Sequence, residues 1–426
     1  MLKPAALFRS DSLSLPRYLL RWIPIATLVG ILGGTASALL LWSLEAATNL
    51  RETHHWLIAL LPLAGLFVGF VYWKFGTSVE AGNNLVLDEI HDPKRTIPIR
   101  MTPLILLGTF VTHLFGGSAG REGTAIQTGA SLADQLARPF RMDARERRVL
   151  LMAGISAGFA SVFGTPLAGA VFGMEVLALG AVSYEAIAPC FLAAFIGEFT
   201  THAWGAHHTV YTVALVPPLN VVRMILAAAA GACFGLVAGA FAKTTHAIGA
   251  LFKRYVAWPP LRPFLGGTVV AGAVFALGTT RYIGLGIPTI VAAFHGQLPP
   301  YDFLNKFLFT VVTLGAGFKG GEVTPLFFIG ATLGNALSYV LALPSSLLAG
   351  MGFVAVFAGA ANTPLASTLM AVELFGGEAG AYAGIACVVS YLFSGHGGIY
   401  HSQRVGSRKY LSLSGDDELQ VAGESK

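Results

Sequence analysis

The sequence predicts an all-α, multi-pass membrane protein. Hydrophobic residues occupy 54% of its 426 positions and charged residues only 12%, whereas about a quarter of a soluble domain is charged. The mean hydropathy is +0.67. Several apolar runs approach or exceed the roughly 20 residues that cross a bilayer as a helix. These runs are 23–42, 57–72, 149–179, 222–241 and 379–393.

Other apolar segments are shorter and are interrupted by some of the 51 glycines and 21 prolines. Such interruptions are typical of broken and re-entrant helices that lie inside a membrane protein. A simple up-and-down bundle therefore fits the sequence poorly. The expected surroundings of the chain are a lipid bilayer.

The basic residues lie between the membrane segments and are not concentrated on one soluble domain. The net charge is +5, and the positive-inside rule places the basic clusters, with both termini, in the cytoplasm. Because these charges are scattered, no nucleic-acid partner is expected. The clusters comprise Lys3, Arg9, Arg17 and Arg21, residues 94–100, 137–148 and 243–262, and Arg404, Arg408 and Lys409.

Neither the cysteines nor the histidines show metal-ligand spacing. Cys190, Cys233 and Cys387 each stand alone in apolar sequence, as small core residues do. The histidines of THHW and THAWGAHH flank membrane segments, where solvated loop histidines are favoured over a metal site. No metal or cofactor is expected.

Two internal matches predict a duplicated chain. GTPLAGAVFGMEVL at 164–177 recurs as NTPLASTLMAVELF at 362–375, which separates Glu175 from Glu373 by 198 residues (373 minus 175). GREGT at 120–124 recurs as GGEVT at 320–324, an offset of 200 (320 minus 120). Two matches at nearly one offset indicate homologous halves. Such halves commonly enclose a ligand site near the bilayer midplane.

This duplication divides the chain into four parts. A cytoplasmic N-terminal arm covers 1–22, a first transmembrane repeat 23–200, a second transmembrane repeat 201–403, and a short cytoplasmic tail 404–426.

The GREGT and GGEVT segments each follow a Gly-rich break and open a new apolar stretch. Their backbone N–H groups are therefore expected at the unpaired first turn of a helix, and helix starts of this kind attract anions in a medium of low dielectric. The Glu122 carboxylate would compete with an external anion for these amides. If Glu122 leaves only when protonated, anion movement is linked to proton movement in the opposite direction, as in a proton-coupled exchanger.

The other charged residues near the repeated motifs have two interpretations each. Arg121 is favoured as a counter-charge for a nearby acid over an anion ligand. Glu322 either carries protons from the opposite side or is a structural acid paired with Lys319. Glu175 and Glu373 are favoured as residues that cap or pair at helix ends over residues with a direct role in transport.

In combination, three segments resemble the CLC family of chloride channels and anion/proton antiporters. They are GSAGREGTAIQTGASLADQL, the following ERRVLLMAGISAGFASVFGTPLAGAVFGMEVL, and KGGEVTPLFFIGATLGNAL, and the resemblance extends from about residue 28 to 400. It implies the CLC fold of two inverted repeats, a homodimer with one anion pathway per subunit, and Glu122 as the gating glutamate. Tyr400 matches the family's central tyrosine, whose hydroxyl bonds the anion. The tail is too short for the CBS regulatory domains of other members.

The chain departs from the chloride-type pattern of this family at several positions. EAGNN at 80–84 replaces GSGIP, so the central serine is missing. Thr124 replaces the proline of GREGP, and Glu322 replaces an apolar residue in the second-half motif. The inner proton-transfer glutamate of many antiporters is Val176 here, which makes Glu322 the candidate inner acid.

These departures resemble the fluoride-specific branch of the family, whose members exchange fluoride for protons, and they imply fluoride export across a bacterial inner membrane. Fluoride is small and strongly hydrated, so a selective site replaces its water with short hydrogen bonds, for which Asn83, Thr324 and Tyr400 offer donors. Asn83 and Asn84 are equally consistent with a helix cap at a glycine break. The expected anion site comprises Ala81, Gly82, Asn83, Gly120, Arg121, Gly123, Thr124, Val323, Thr324 and Tyr400.

Fluoride/proton exchange is therefore the expected function, with a chloride/proton antiporter or a passive anion channel of the same family as the alternative. An intramembrane serine hydrolase is suggested formally by GGSAG at 116–120 and His113, but that motif requires a preceding strand, and the sequence places an apolar helix there. A cation-coupled carrier of organic solutes would need a sodium or substrate cage, for which no residues are found.

Overall fold

The chain folds almost entirely into helices. The computed structural model describes the backbone of residues 4–410 and the side chains of residues 15–410. The first half contains α1 (Pro4–Thr53), α2 (Leu61–Val71), α3 (Asn83–His91), α4 (Met101–Leu114), α5 (Glu122–Asp134), α6 (Ala144–Phe163), α7 (Pro166–Glu175) and α8 (Ile187–Ala203). The second half contains α9 (Val221–Tyr255), α10 (Leu261–Leu277), α11 (Ile287–His295), α12 (Asp302–Gly315), α13 (Val323–Leu337), α14 (Ser345–Ala361), α15 (Pro364–Phe375) and α16 (Gly377–Phe393).

The predicted all-α architecture is confirmed, apart from one short strand pair. β1 (Ala178–Leu179) lies parallel to β2 (Arg404–Val405) and joins the end of the first repeat to the start of the predicted tail. Residues 1–3 and 411–426, which include Lys3 and most of that tail, lie outside the described residues. From Pro4 onward, the predicted N-terminal arm is the beginning of α1.

The helices are of two kinds, as the apolar segments predicted. Several apolar helices have only 10–17 residues, among them α4, α13 and α15. These short helices are the broken elements expected inside a transporter. Among the residues that the structure describes, four helical stretches are long and apolar enough to cross a membrane, namely Leu15–Thr53, His55–His91, Tyr184–Ala203 and Val221–Tyr255.

Matching helices of the two halves end in the same backbone conformation, and the helices that follow begin with the same residue. α6 ends at Gly164 and α14 ends at Asn362, both with positive φ, of 73° and 57°. Glycine and asparagine are the residues that adopt this left-handed conformation most readily. A proline then occupies the first position of both α7 and α15, where its missing N–H costs nothing.

Two glutamates cap each other's helices across the repeats. Glu175, at the end of α7, accepts hydrogen bonds of 3.0 and 2.8 Å from backbone N–H groups in the first turn of α15. Glu373, at the end of α15, accepts bonds of 2.9 and 2.8 Å from the first turn of α7. α7 and α15 are therefore antiparallel neighbours related by an approximate two-fold axis perpendicular to both. Such an axis gives the inverted repeats that were predicted.

Glycine contacts pack the motif-bearing helices against their neighbours. A Cβ atom on Gly154 of α6 would lie 2.7 Å from the Gly129 carbonyl oxygen of α5. Gly330 of α13 and Gly352 of α14 make an equivalent backbone contact. Small residues allow this close approach between membrane helices, so α5 and α13 are fixed in corresponding positions.

A buried charge network ties the far ends of α3 and α5 to α6. The Arg147 guanidinium donates to Asp134 Oδ1 and Oδ2 at 2.6 and 2.8 Å and to Glu89 Oε2 at 3.1 Å. Asp134 is fully buried and Glu89 is 4% exposed. Asp134 also accepts the Ile97 N–H at 2.6 Å. The network therefore fixes the orientation of two helices that begin at the candidate site.

Replacing Arg147 is expected to destabilise the protein strongly. Arg147→Met leaves two buried carboxylates without their cation, and breaking a buried pair in this way costs about 3–5 kcal/mol. Arg145→Met is the matched control, since Arg145 is 82% exposed in its pair with Glu185 and such pairs contribute about 0–1 kcal/mol. Thermal unfolding in detergent measures both. Equal melting temperatures for the two variants would contradict the role given to Arg147.

Candidate functional site

The two re-entrant segments of the repeats meet as a small antiparallel bridge. Gly120 N–H donates to the Gly321 carbonyl at 2.6 Å, and Gly321 N–H donates to the Gly120 carbonyl at 2.8 Å. A Cβ atom on Gly120 would lie 2.9 Å from Pro325 Cδ, and one on Gly123 would lie 3.1 Å from Gly321 Cα. Glycine is therefore required where the starts of α5 and α13 approach each other.

The Glu122 carboxylate lies at the start of the opposite helix. Glu122 is the first residue of α5 and is fully buried. Its Oε2 accepts the Thr324 N–H at 2.9 Å, and its Oε1 accepts the Thr324 hydroxyl. Thr324 lies in the first turn of α13, so the carboxylate occupies an unpaired helix start that also attracts free anions.

Arg121 lies beside this carboxylate. Its Nε atom is 3.8 Å from Glu122 Oε1, and its side chain is 15% exposed. The Arg121 backbone N–H also donates to Glu122 Oε2 at 3.1 Å. This position agrees with the interpretation of Arg121 as a counter-charge for a nearby acid.

The start of α3 lies next to the starts of α5 and α13. Gly82 precedes α3 with φ 60°, and the Asn83 Nδ2 atom is 3.1 Å from a Cβ placed on Gly123. Neither asparagine side chain caps α3. Asn84 Oδ1 accepts the Ser402 N–H at 3.1 Å, whereas Asn83 Oδ1 is buried and has no hydrogen-bond partner among residues 15–410.

A cavity of about 140 Å³ adjoins this convergence of helix starts. The Tyr400 hydroxyl is buried without a hydrogen-bond partner in the described part of the chain. Of the predicted site residues, the cavity wall contains Ala81, Gly82, Asn83, Glu322 and Tyr400.

Glu322 also reaches a larger, open vestibule. This cavity of about 1020 Å³ is lined by Glu322 together with Lys253, Arg262 and Lys319. Within residues 15–410, no ion pair joins Glu322 to Lys319; the Lys319 Nζ instead lies 4.0 Å from the centre of the Tyr72 ring. The geometry therefore gives no support to the salt-bridged interpretation of Glu322.

Several predicted residues have other surroundings. The Thr124 hydroxyl bonds the Thr109 hydroxyl at 2.6 Å and not the Glu122 carboxylate. Val323, the first residue of α13, is fully buried. Val176 is 2% exposed, and its neighbour Glu175 is occupied as a helix cap.

Gln127 is a residue of the site that the motifs alone do not reveal. Its side chain is 6% exposed, packs against Gly82 and lines the 140 Å³ cavity. It lies four residues after Gly123, and residues at this spacing share one face of a helix. The four-residue spacing from Gly123 is therefore the feature of the sequence that could have identified Gln127.

The site therefore has an acid at its centre, three helix starts around it and two hydroxyl groups within reach. Amide and hydroxyl donors of this kind hold a small anion without a fixed cation, and the carboxylate that now occupies some of them is a competitor for the same bonds. The arrangement can alternate between a bound carboxylate and a bound anion.

Comparison with known proteins identifies the family. The family model described as "Voltage gated chloride channel" matches residues 64–395. A chloride/fluoride channel protein of Pseudomonas syringae pv. tomato is 57% identical over 408 residues, which cover 94% of this chain and 90% of that protein.

Solved structures agree with this assignment. A CLC-type fluoride/proton antiporter matches with a TM-score of 0.88 and 34% identity, over 91% of this chain and 98% of the other. A slow cyanobacterial Cl⁻/H⁺ antiporter matches with a TM-score of 0.77 over 88% of this chain and 94% of the other, and its 19% identity shows the shared fold alone. The chain therefore belongs to the CLC family of membrane transporters, as the sequence motifs predicted.

Proposed function

We propose that this protein is a proton-coupled antiporter that exports fluoride in exchange for protons. The observation that carries this proposal is the position of the Glu122 carboxylate on the amide and hydroxyl of Thr324. A buried carboxylate and a small anion compete there for the same donors. Protonation of Glu122 removes the charge that those donors stabilise, so a proton arriving at Glu122 releases the site to fluoride.

The donors around the site favour fluoride over chloride. Fluoride is the stronger hydrogen-bond acceptor and loses more hydration on entry, so short bonds from well-placed donors are needed to replace its water. The Thr324 hydroxyl, the Tyr400 hydroxyl and the Asn83 amide supply such donors. The Tyr400 hydroxyl is a buried donor without a partner among the described residues, which is costly unless a ligand bonds it.

Glu322 is proposed as the inner proton acid. It lies between the small cavity and the open vestibule, and the basic residues of that vestibule mark its cytoplasmic side by the positive-inside rule. Val176 offers no titratable group, and the Glu175 carboxylate is already bonded to two helix amides. During fluoride export, fluoride therefore enters from this vestibule, while protons move in the opposite direction, from Glu122 to Glu322 and into the vestibule.

The oligomeric state, the membrane and the location of the termini are also part of this proposal. The chain is expected to work as a homodimer in a bacterial inner membrane, with both termini in the cytoplasm, because members of its family share the fold and because its basic clusters occupy one set of loops. The segments 1–22, 23–200, 201–403 and 404–426 remain the proposed arm, repeats and tail. The proposed boundary between the repeats at 200/201 falls in the last turn of α8.

A chloride/proton antiporter or a passive anion channel is the alternative within the family, and chloride stands in the name of the Pseudomonas syringae relative. The hydrolase alternative has no supporting geometry. The Ser118 hydroxyl bonds Thr310 at 2.9 Å, and the two ring nitrogens of His113 face the backbone carbonyls of Thr109 and Ala119 at 2.8 and 3.0 Å. No nucleophile–base pair therefore forms between Ser118 and His113.

Replacing Glu122 with glutamine is expected to abolish proton coupling. Glu122→Gln keeps the shape of a protonated glutamate but cannot release a proton, so fluoride movement should no longer drive proton movement. Fluoride and pH electrodes on liposomes that contain the purified protein measure both fluxes. Proton movement at the wild-type rate in this variant would contradict the gate.

Glu322→Gln is expected to reduce proton movement more than fluoride movement, because the inner proton acid is lost while the anion donors remain. The matched control is Glu373→Gln, which alters a membrane-embedded carboxylate that caps α7. The ratio of protons to fluoride ions is the readout. A ratio that falls equally in both variants would remove the special role of Glu322.

Thr324→Val should weaken fluoride transport about tenfold or more. A hydrogen bond to a charged group contributes about 1.5–3 kcal/mol, and about 1.4 kcal/mol corresponds to a factor of ten. Thr332→Val is the control on the same helix, since the Thr332 hydroxyl bonds the Phe328 carbonyl within α13. Fluoride efflux at several concentrations tests both variants, and equal rates would argue against the Thr324 hydroxyl as a ligand.

A further inference from the structure

Lys306 is a buried lysine that the transport site does not use directly. It lies on α12 and is fully buried. Its Nζ atom donates to the Tyr282 carbonyl at 3.1 Å and to the Gly284 carbonyl at 2.7 Å. Within residues 15–410, no carboxylate oxygen lies within 4 Å of Nζ. A buried charge without a counter-charge is costly and commonly marks a functional role in a membrane protein.

The two backbone bonds of Lys306 hold one loop. Residues 281–284 lie in the connection between α10 and α11, and the first two turns of α12 hold them through Asp302 and Lys306. The Asp302 carboxylate accepts the Tyr282 hydroxyl at 2.7 Å and Arg281 Nη1 at 2.9 Å. Asp302 is fully buried, so its charge is compensated by Arg281 and not by Lys306.

This loop in turn holds the re-entrant segment of the other repeat. The Gly284 N–H donates to the Gly117 carbonyl at 3.0 Å. A second cation lies at the same point, since the Arg51 guanidinium lies directly against Gly284, with Nη1 2.7 Å from a Cβ placed there. Nη1 also donates to the His113 carbonyl at 2.7 Å. Gly284 therefore joins Lys306 to the backbone that leads to Glu122.

α12 also contacts the re-entrant segment directly. The Thr310 hydroxyl, one turn after Lys306, bonds the Ser118 hydroxyl at 2.9 Å. The Thr313 hydroxyl accepts the Ser118 N–H at 3.2 Å. At the next residues along the chain, the His113 ring bonds the Ala119 carbonyl at 3.0 Å. The polar backbone groups on both sides of Gly120 are thus tied to buried donors and acceptors.

We propose that Lys306 is a positioning residue for the Glu122 gate, a role that rests on the function proposed above. Through Gly284, and together with the Thr310 hydroxyl, it fixes residues 115–121 so that the Glu122 carboxylate meets the Thr324 amide. Lys306 touches neither ion. Loss of Lys306 leaves the Tyr282 and Gly284 carbonyls without their donor. The loop is then no longer held in the position from which Gly284 bonds Gly117.

The test replaces Lys306 and follows coupling as well as rate. In Lys306→Met we expect fluoride efflux from liposomes to fall at least about tenfold, because small displacements of a reacting group have large effects. We also expect a lower ratio of protons to fluoride ions and a higher ratio of chloride to fluoride flux. Thr310→Val, which removes one direct bond to Ser118, should shift both ratios in the same direction by a smaller factor.

Lys409 provides a matched control. Its Nζ is likewise bonded to a carbonyl and a hydroxyl, those of Tyr391 and Ser394 at 2.6 and 2.9 Å, and Lys409 is 9% exposed. Lys409→Met is expected to lower thermal stability while both flux ratios stay at wild-type values.

Equal ratios in Lys306→Met, Lys409→Met and the wild type would overturn the positioning role. If Lys306→Met yields no folded protein, unchanged ratios in Thr310→Val would overturn it instead. Failure of the proposed function is distinguishable from either result, since the wild type itself would then show no fluoride-driven proton movement.

Discussion

One constraint governs the centre of this protein: a carboxylate enclosed by protein must receive its hydrogen bonds from protein. Glu122 begins a helix of the first repeat, and its carboxylate receives bonds from Thr324, in the first turn of a helix of the second repeat, and from the Arg121 N–H. Glycines in both motifs allow these two helix starts to approach each other closely. The glycine contacts of α5 and α13 with α6 and α14, together with the Arg147 network, then hold the helices in place from their other ends.

The duplication supplies two similar segments, but their surroundings differ. Glu122 and Glu322 match in the motif alignment, yet Glu122 is fully buried and Glu322 lines an open vestibule. The bridge joins Gly120 to Gly321 rather than to the matching Gly320, so the two-fold relation is displaced by one residue at the site. Glu122 is accordingly the first residue of α5, whereas Glu322 is the residue that precedes α13. An exchanger needs both environments.

Local patterns predicted much of this arrangement, and contacts between distant residues supplied the rest. The repeated segments give the offset between the two halves. Glycine breaks followed by apolar stretches predict the helix starts and the burial of Glu122. The two threonines of the matching motifs look equivalent in sequence, but Thr124 bonds Thr109 while Thr324 bonds Glu122. Asn84 resembled a helix cap and instead bonds Ser402, 318 residues away. Such partners depend on how helices pack, which no short motif encodes.

The reciprocal caps of α7 and α15 have a consequence for biosynthesis. The first turn of α7 is made 205 residues before the glutamate that satisfies it. At about 5–20 residues per second, the ribosome needs roughly 10–40 s to make that length. During this interval the nascent first repeat carries unpaired amides within the membrane, where lipid offers them no hydrogen-bond acceptor. Insertion machinery or bound water must shelter that helix end until the second half arrives.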